Sequence, residues 1–159
     1  MSGCIWIVCE RGGRWAPTLR LLLENEAANG NPRHRLREVR HLAELSTTLA
    51  ERPVAIAAVE VHRGNFAEAL AWFASAERDF PLVRCIALCD RAIAANEYTD
   101  ALREAGAWEF TSSPRQLRAI LQFGQRHAAM VAEHASVAEA DDTLSLTART
   151  WASLPWQDA

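Results

Sequence analysis

Glu60 closes the run VAIAAVEV (54–61), whose small and branched apolar residues read as a fully buried strand. A carboxylate in that place could accept a phosphoryl group, bind a cation, act as acid or base, or simply pair with an arginine. Glu10 follows the apolar run CIWIVC (4–9) in the same way, and Cys9 and Cys89 each end such a run. The four cysteines, Cys4, Cys9, Cys85 and Cys89, lack the C-x-x-C or His spacing of a zinc site and read as buried thiols, with a Cys9–Cys89 redox pair as the alternative. In ERGGR (10–14), two glycines lie between arginines where a helix should open, so backbone N–H groups there could cradle a phosphate. The stretch lacks the G-x-G-x-x-G and G-x-x-x-x-G-K-[ST] patterns, and a plain turn is the competing reading. His34, His41, His62, His127 and His134 have no evident Ser or Cys partner, and only His62 falls near these strand ends.

The elements that must hold these residues alternate along the chain. Strands are expected at 4–9, 34–39, 54–61, 83–88 and 107–111. Helices fall between them: Trp15, Leu19, Leu22 and Leu23 mark the first, 42–51 the second, Phe66, Leu70, Phe73 and Phe80 the third, and Tyr98, Ala101, Leu102 and Ala105 the fourth. Asn29-Gly30-Asn31-Pro32, Pro81 and Gly106 stop three of them, and Pro114 opens a fifth. Five strands and five helices in strict alternation predict a doubly wound α/β domain with a parallel sheet. In such sheets ligands sit beyond the carboxyl ends of the strands, where Glu10, Glu60, Cys89 and Ser113 gather.

At 159 residues, half of them hydrophobic, the chain has room for one domain, placed at 1–131, and an extension at 132–159. All seventeen basic residues are Arg, and the net charge is −3. Scattered arginines form no basic stripe, so no nucleic-acid partner is expected. No apolar stretch is long enough for a membrane span or signal core, which predicts a cytoplasmic protein.

The order of elements, the acid ending strand three, the Ala105-Gly106-Ala107 turn and the Ser113-Pro114 step resemble the receiver domain of bacterial response regulators, over residues 4 to about 128. The resemblance implies strand order 2-1-3-4-5 and a phosphorylation site built from two Mg²⁺-binding acids, an acceptor Asp, a hydroxyl, an aromatic and a Lys. Position by position, this chain offers Cys9 and Glu10, Glu60, Cys89, Phe110 and Ser113. Phosphoryl transfer relies on metal and cation to neutralise charge on the phosphoryl oxygens, and on an attacking oxygen in line. A thiol for an acid, Glu for Asp and Ser for Lys predict a degenerate pseudo-receiver that is not phosphorylated, is no enzyme and needs no cofactor or metal. A side-chain ion pair from Arg11, Arg63 or Arg91 is expected to satisfy Glu60.

What such a domain would retain is surface for partners in two-component signalling. In the last helix, Leu117, Ile120, Leu121, Gly124, Ala128 and Val131 form a core-facing stripe, and Phe123, His127, Met130 and His134 a second. With Trp108 at the start of strand five, the second stripe predicts an apolar face for a protein partner or for a homodimer. Trp151 and Trp156 in the extension are further candidates for docking. The alternative function is a flavodoxin-like domain that binds a small molecule or nucleotide through residues 10–14.

Overall fold

In the computed structural model, residues 4–31, 34–52, 54–94 and 96–131 are described. Five strands, β1 (Ile5–Cys9), β2 (Arg35–Val39), β3 (Ala55–Val61), β4 (Arg84–Cys89) and β5 (Glu109–Thr111), alternate with α1 (Ala16–Ala28), α2 (Leu42–Glu51), α3 (Phe66–Asp79) and α4 (Asn96–Glu104). A 3₁₀ turn at Pro114–Gln116 leads into α5, helical over 117–131. All strands pair in parallel, in the order β2-β1-β3-β4-β5. Met1–Ala128 form one compact unit, and of the second, Ala129–Ala159, only 129–131 are described. The expected extension at 132–159, with His134, Trp151 and Trp156, lies outside the described residues.

Side-chain alternation on the central strands divides the core into two. From β1, β3 and β4, Ile7, Cys9, Ala57, Val59, Ala87 and Cys89 face α2, α3 and α4, where Leu45, Leu49, Phe73 and Leu102 are buried. Trp6, Val8, Ile56, Ala58, Ile86 and Leu88 face the other way, onto Trp15, Leu19 and Leu23 of the α1 segment and Leu117, Ile120 and Leu121 of α5. Glu10 and Glu60 continue this second parity, so both carboxylates emerge on the side of α1.

β5 is shorter than the five residues expected. Gly106, at φ 103°, ends α4, with its N–H on the Arg103 carbonyl and the Ala107 N–H on that of Leu102. This closing motif uses the amide that an earlier strand start would need. Sheet pairing therefore begins with the Trp108 N–H on the Cys85 carbonyl, at 2.8 Å.

His127 also departs from expectation. It is only 4% exposed, and its Nε2–H donates to the Leu82 carbonyl at 2.9 Å, because the loop between α3 and β4 runs beneath this turn of α5. The buried arc of α5 is thereby wider than a stripe read from apolar residues alone.

Gly124 lets α5 lie close to the sheet. A Cβ there would stand 2.4 Å from Trp6 Cζ2 and 2.5 Å from Ile56 Cδ1, both in the buried core. Overpacking of this kind costs ~1–3 kcal/mol, more than the ~1 kcal/mol that alanine gains over glycine in a helix. Gly124→Ala is therefore expected to lower stability in urea unfolding, and an unchanged or raised midpoint would show that the helix can shift freely.

Candidate functional site

Helix α1 begins without a cap of its own. Trp15, at its N-cap, has no side-chain acceptor, and Pro17 follows in the first turn. Glu10 supplies the missing acceptor from the end of β1. Its Oε2 accepts the N–H groups of Arg14 (2.9 Å) and Trp15 (2.8 Å), and its Oε1 that of Ala16 (2.8 Å). The residue is 2% exposed. A buried carboxylate normally seeks a cation, but three charge-assisted bonds and the positive end of the helix dipole stabilise this one. Sequence reading missed this role, because the usual capping signal spans three residues and this one spans four to six.

Glu60 is half-buried beside the same loop. Its Oε2 accepts the backbone N–H of Arg11 at 3.0 Å, and its Oε1 would lie 3.4 Å from a Cβ on Gly12. The expected arginine side-chain pair does not form: the ion pairs among the described residues do not include Glu60. The close approach of the loop presents an amide to the carboxylate before any flexible guanidinium needs to be ordered. Asn65 fixes the strand end from below, donating to the Glu60 carbonyl and accepting the His62 N–H, each at 2.8 Å.

Two arginines tie this loop to its neighbours. Arg40 Nη1 donates to the carbonyls of Glu10 (3.1 Å) and Arg11 (3.3 Å). Arg14 lies over the Trp15 ring at 4.7 Å and donates to the Ser112 carbonyl at 3.2 Å, joining the loop after β1 to the loop after β5. Ser113 accepts the Arg115 N–H and so caps the turn before α5. Asp90 is likewise engaged, with Oδ1 on the Ile93 N–H at 2.9 Å. Phe110 packs against the α2–α3–α4 core, with the Arg103 guanidinium 4.7 Å over its ring.

Cys9 and Cys89 face away from the two carboxylates, into the opposite core. They flank β3, Cys9 in register with Val59 and Cys89 with Val61. Two strand spacings of ~4.8 Å separate them, beyond the ~7 Å that a disulfide tolerates, so the redox pair is excluded. Burial pushes both thiols up to about 12, and Cys4 and Cys85 to about 11 and about 12. Neutral, buried thiols are neither nucleophiles nor metal ligands at neutral pH.

The acids do not fit Mg²⁺. Both oxygens of Glu10 are held by amides, its sequence neighbour is a thiol on the other face, and one oxygen of Glu60 is engaged. No cluster of three or more His, Cys, Asp or Glu with metal-binding geometry occurs among the described residues. Of the amides that a phosphate could use at the ERGGR loop and the helix start, those of Arg11, Arg14, Trp15 and Ala16 already bind the chain's own carboxylates.

This five-stranded parallel sheet with helices on both faces recurs in solved structures. The chain is similar to a CheY-like protein (TadZ) from Pseudomonas aeruginosa PAO1, with 14% identity and a TM-score of 0.61 over 77% of this chain and 94% of that one. A response regulator from Thermotoga maritima gives 16% and 0.64 over 79% and 99%. The isolated receiver domain of RcsB from Salmonella enterica serovar Typhimurium, in the presence of the phosphomimetic BeF₃⁻, gives 12% and 0.61 over 76% and 87%. The chain has the receiver fold. No protein-family model and no curated protein matches it, and at these identities the likeness is one of fold.

Of the expected partner-facing residues, Trp108, Phe123 and Met130 are described. Trp108 (43% exposed) and Phe123 (36%) stack edge to face at 5.5 Å, and Met130, in the second unit, is exposed. No helix among the described residues is long and apolar enough to cross a membrane.

Two outcomes follow from this geometry. Glu10→Ala strands three amides, two of them buried, and at ~1–3 kcal/mol per unsatisfied group should cost about 3 kcal/mol in urea unfolding; a loss under ~1 kcal/mol would show the cap to be dispensable. The native thiols should resist iodoacetamide at pH 8 and react after unfolding. Because folding raises their pKa, their contribution is intact below pH 9 and is lost as the pH climbs towards 12, so thiol-linked stability must fall, not rise, across that window.

Proposed function

We propose that this chain is a non-phosphorylatable, receiver-fold signalling module of the cytoplasm that acts by binding a protein partner and carries out no catalysis. The observation that supports this most directly is the capture of Glu10 by three amides of α1, which removes the one acid that the strand-one position retains. Glu60 is held by the Arg11 amide, and Ser113 supplies a cap where a cation would be needed. Phosphoryl transfer without metal or cation at the acceptor loses the electrostatic stabilisation on which it depends.

The loops around Glu60 are pinned in one arrangement by Glu10, Arg14 and Arg40. A module of this kind would signal by its presence and its surface rather than by a phosphorylation-driven switch. The exposed Trp108–Phe123 pair is the surface we assign to that task. Binding of a nucleotide or small molecule through residues 10–14 is the weaker reading, because a ligand would have to compete with two carboxylates for the amides of Arg11 and Arg14.

Incubation with acetyl phosphate and Mg²⁺ should leave the intact mass unchanged. A phosphoryl adduct that disappears in Glu60→Gln would overturn the proposal.

A further inference from the structure

The amino end of the sheet, opposite the end that holds Glu10 and Glu60, carries an unassigned cavity of about 350 Å³. It opens between the end of α3 and the turn from α4 to β5, and its lining includes Glu77, Arg84, Cys85, Arg103 and Trp108. This volume is at the small end of the ~300–1,000 Å³ of ligand pockets, room for one large side chain. Trp108 belongs both to the cavity and to the stack with Phe123, so the two features are continuous. Leu82, 46% exposed, adjoins them, since its carbonyl is bound by His127, one turn along α5 from Phe123.

Charge separates the possible occupants. The chain carries −3 overall, yet this edge presents Arg84 and Arg103 at the cavity and Arg126 at 5.7 Å over the Phe123 ring. Arg103 has Asp100 at 3.8 Å, while Arg84 and Arg126 have no ion pair among the described residues. Glu77 is the carboxylate that lines the cavity. Arg84, Arg103 and Arg126 outnumber Glu77 and Asp100 in this patch, so a second copy in a two-fold dimer would set an excess of cations against itself. Exposed tryptophan with arginines around it is the composition of binding hot spots, and the missing charge is negative.

We propose that this face docks an acidic segment of a partner protein, which inserts one large apolar side chain beside Trp108 and sets its carboxylates against Arg84, Arg103 and Arg126. The proposal rests on the reading of the chain as a partner-binding module, and it names the chemistry of the partner in place of the homodimer expected from sequence.

The test uses the full chain and three fluorescein-labelled synthetic peptides: an acidic peptide with one Trp, the same peptide with Ser for Trp, and a basic peptide with one Trp. Anisotropy titration should give saturable binding of the first, roughly tenfold or more tighter than either control. The affinity should fall as salt is raised, since exposed charge pairs are screened. Trp108→Ala, and separately Arg84→Glu with Arg126→Glu, should abolish the preference, while Arg63→Glu at the other end of the sheet leaves it unchanged. Equal binding of the basic peptide, no saturable binding, or binding that survives both patch variants overturns the proposal. So does a concentration-dependent rise in mass by light scattering that Trp108→Ala removes, which would assign the face to a second copy. Failure here leaves the acetyl phosphate result standing, whereas phosphorylation at Glu60 would sink the reading of function without touching this face.

Discussion

The Glu10 carboxylate beneath the first turn of α1 is the interaction on which the carboxyl end of the sheet depends. The helix lacks an acceptor at its own N-cap, and two of the three amides that Glu10 binds are buried, so no solvent can replace it. Holding those amides fixes the path of residues 10–16. That path delivers the Arg11 amide to Glu60 and sends Arg14 across to Ser112, while Arg40 secures the loop from β2. A residue that could have held a metal is thereby converted into the cap of a helix.

Strand parity explains why the remaining candidates cannot compensate. Successive residues on a strand point to opposite faces, so Cys9 and Glu10, adjacent in sequence, enter different cores. The same alternation places Cys89 with Cys9 and Glu60 with Glu10. These two thiols therefore sit in the apolar layer under α2, α3 and α4, where burial keeps them protonated, and the two carboxylates sit by the loop amides. Among the described residues, neither group gathers a cluster of three or more donors for a metal.

The two ends of the sheet consequently differ in character. At the carboxyl end, Glu10 and one oxygen of Glu60 are satisfied by backbone amides of the chain. At the amino end, an exposed aromatic pair, a cavity and two arginines without ion pairs among the described residues are left to the surroundings. Unsatisfied apolar and charged surface is where association gains free energy, and internally paired surface is where it does not.

The alternation of apolar runs with helical periods was enough to determine the α/β class, all five strands to within a residue or two and the stops at Asn29, Pro81 and Gly106, because burial and turn chemistry are written locally. The exposure of Trp108 and Phe123 also follows from sequence pattern, since an aromatic outside the core-facing stripe has few places to hide. Long-range polar pairing is different. Whether Glu60 meets a guanidinium or an amide depends on how closely the loop after β1 approaches β3, and whether His127 is exposed depends on a loop forty-five residues away in the chain. The role of Glu10 lay hidden for the same reason: a carboxylate at a strand end looks identical in sequence whether it turns outward to a cation or back to a helix. Only the tertiary structure decides, because hydrogen bonds are won by whichever group the fold brings within about 3 Å.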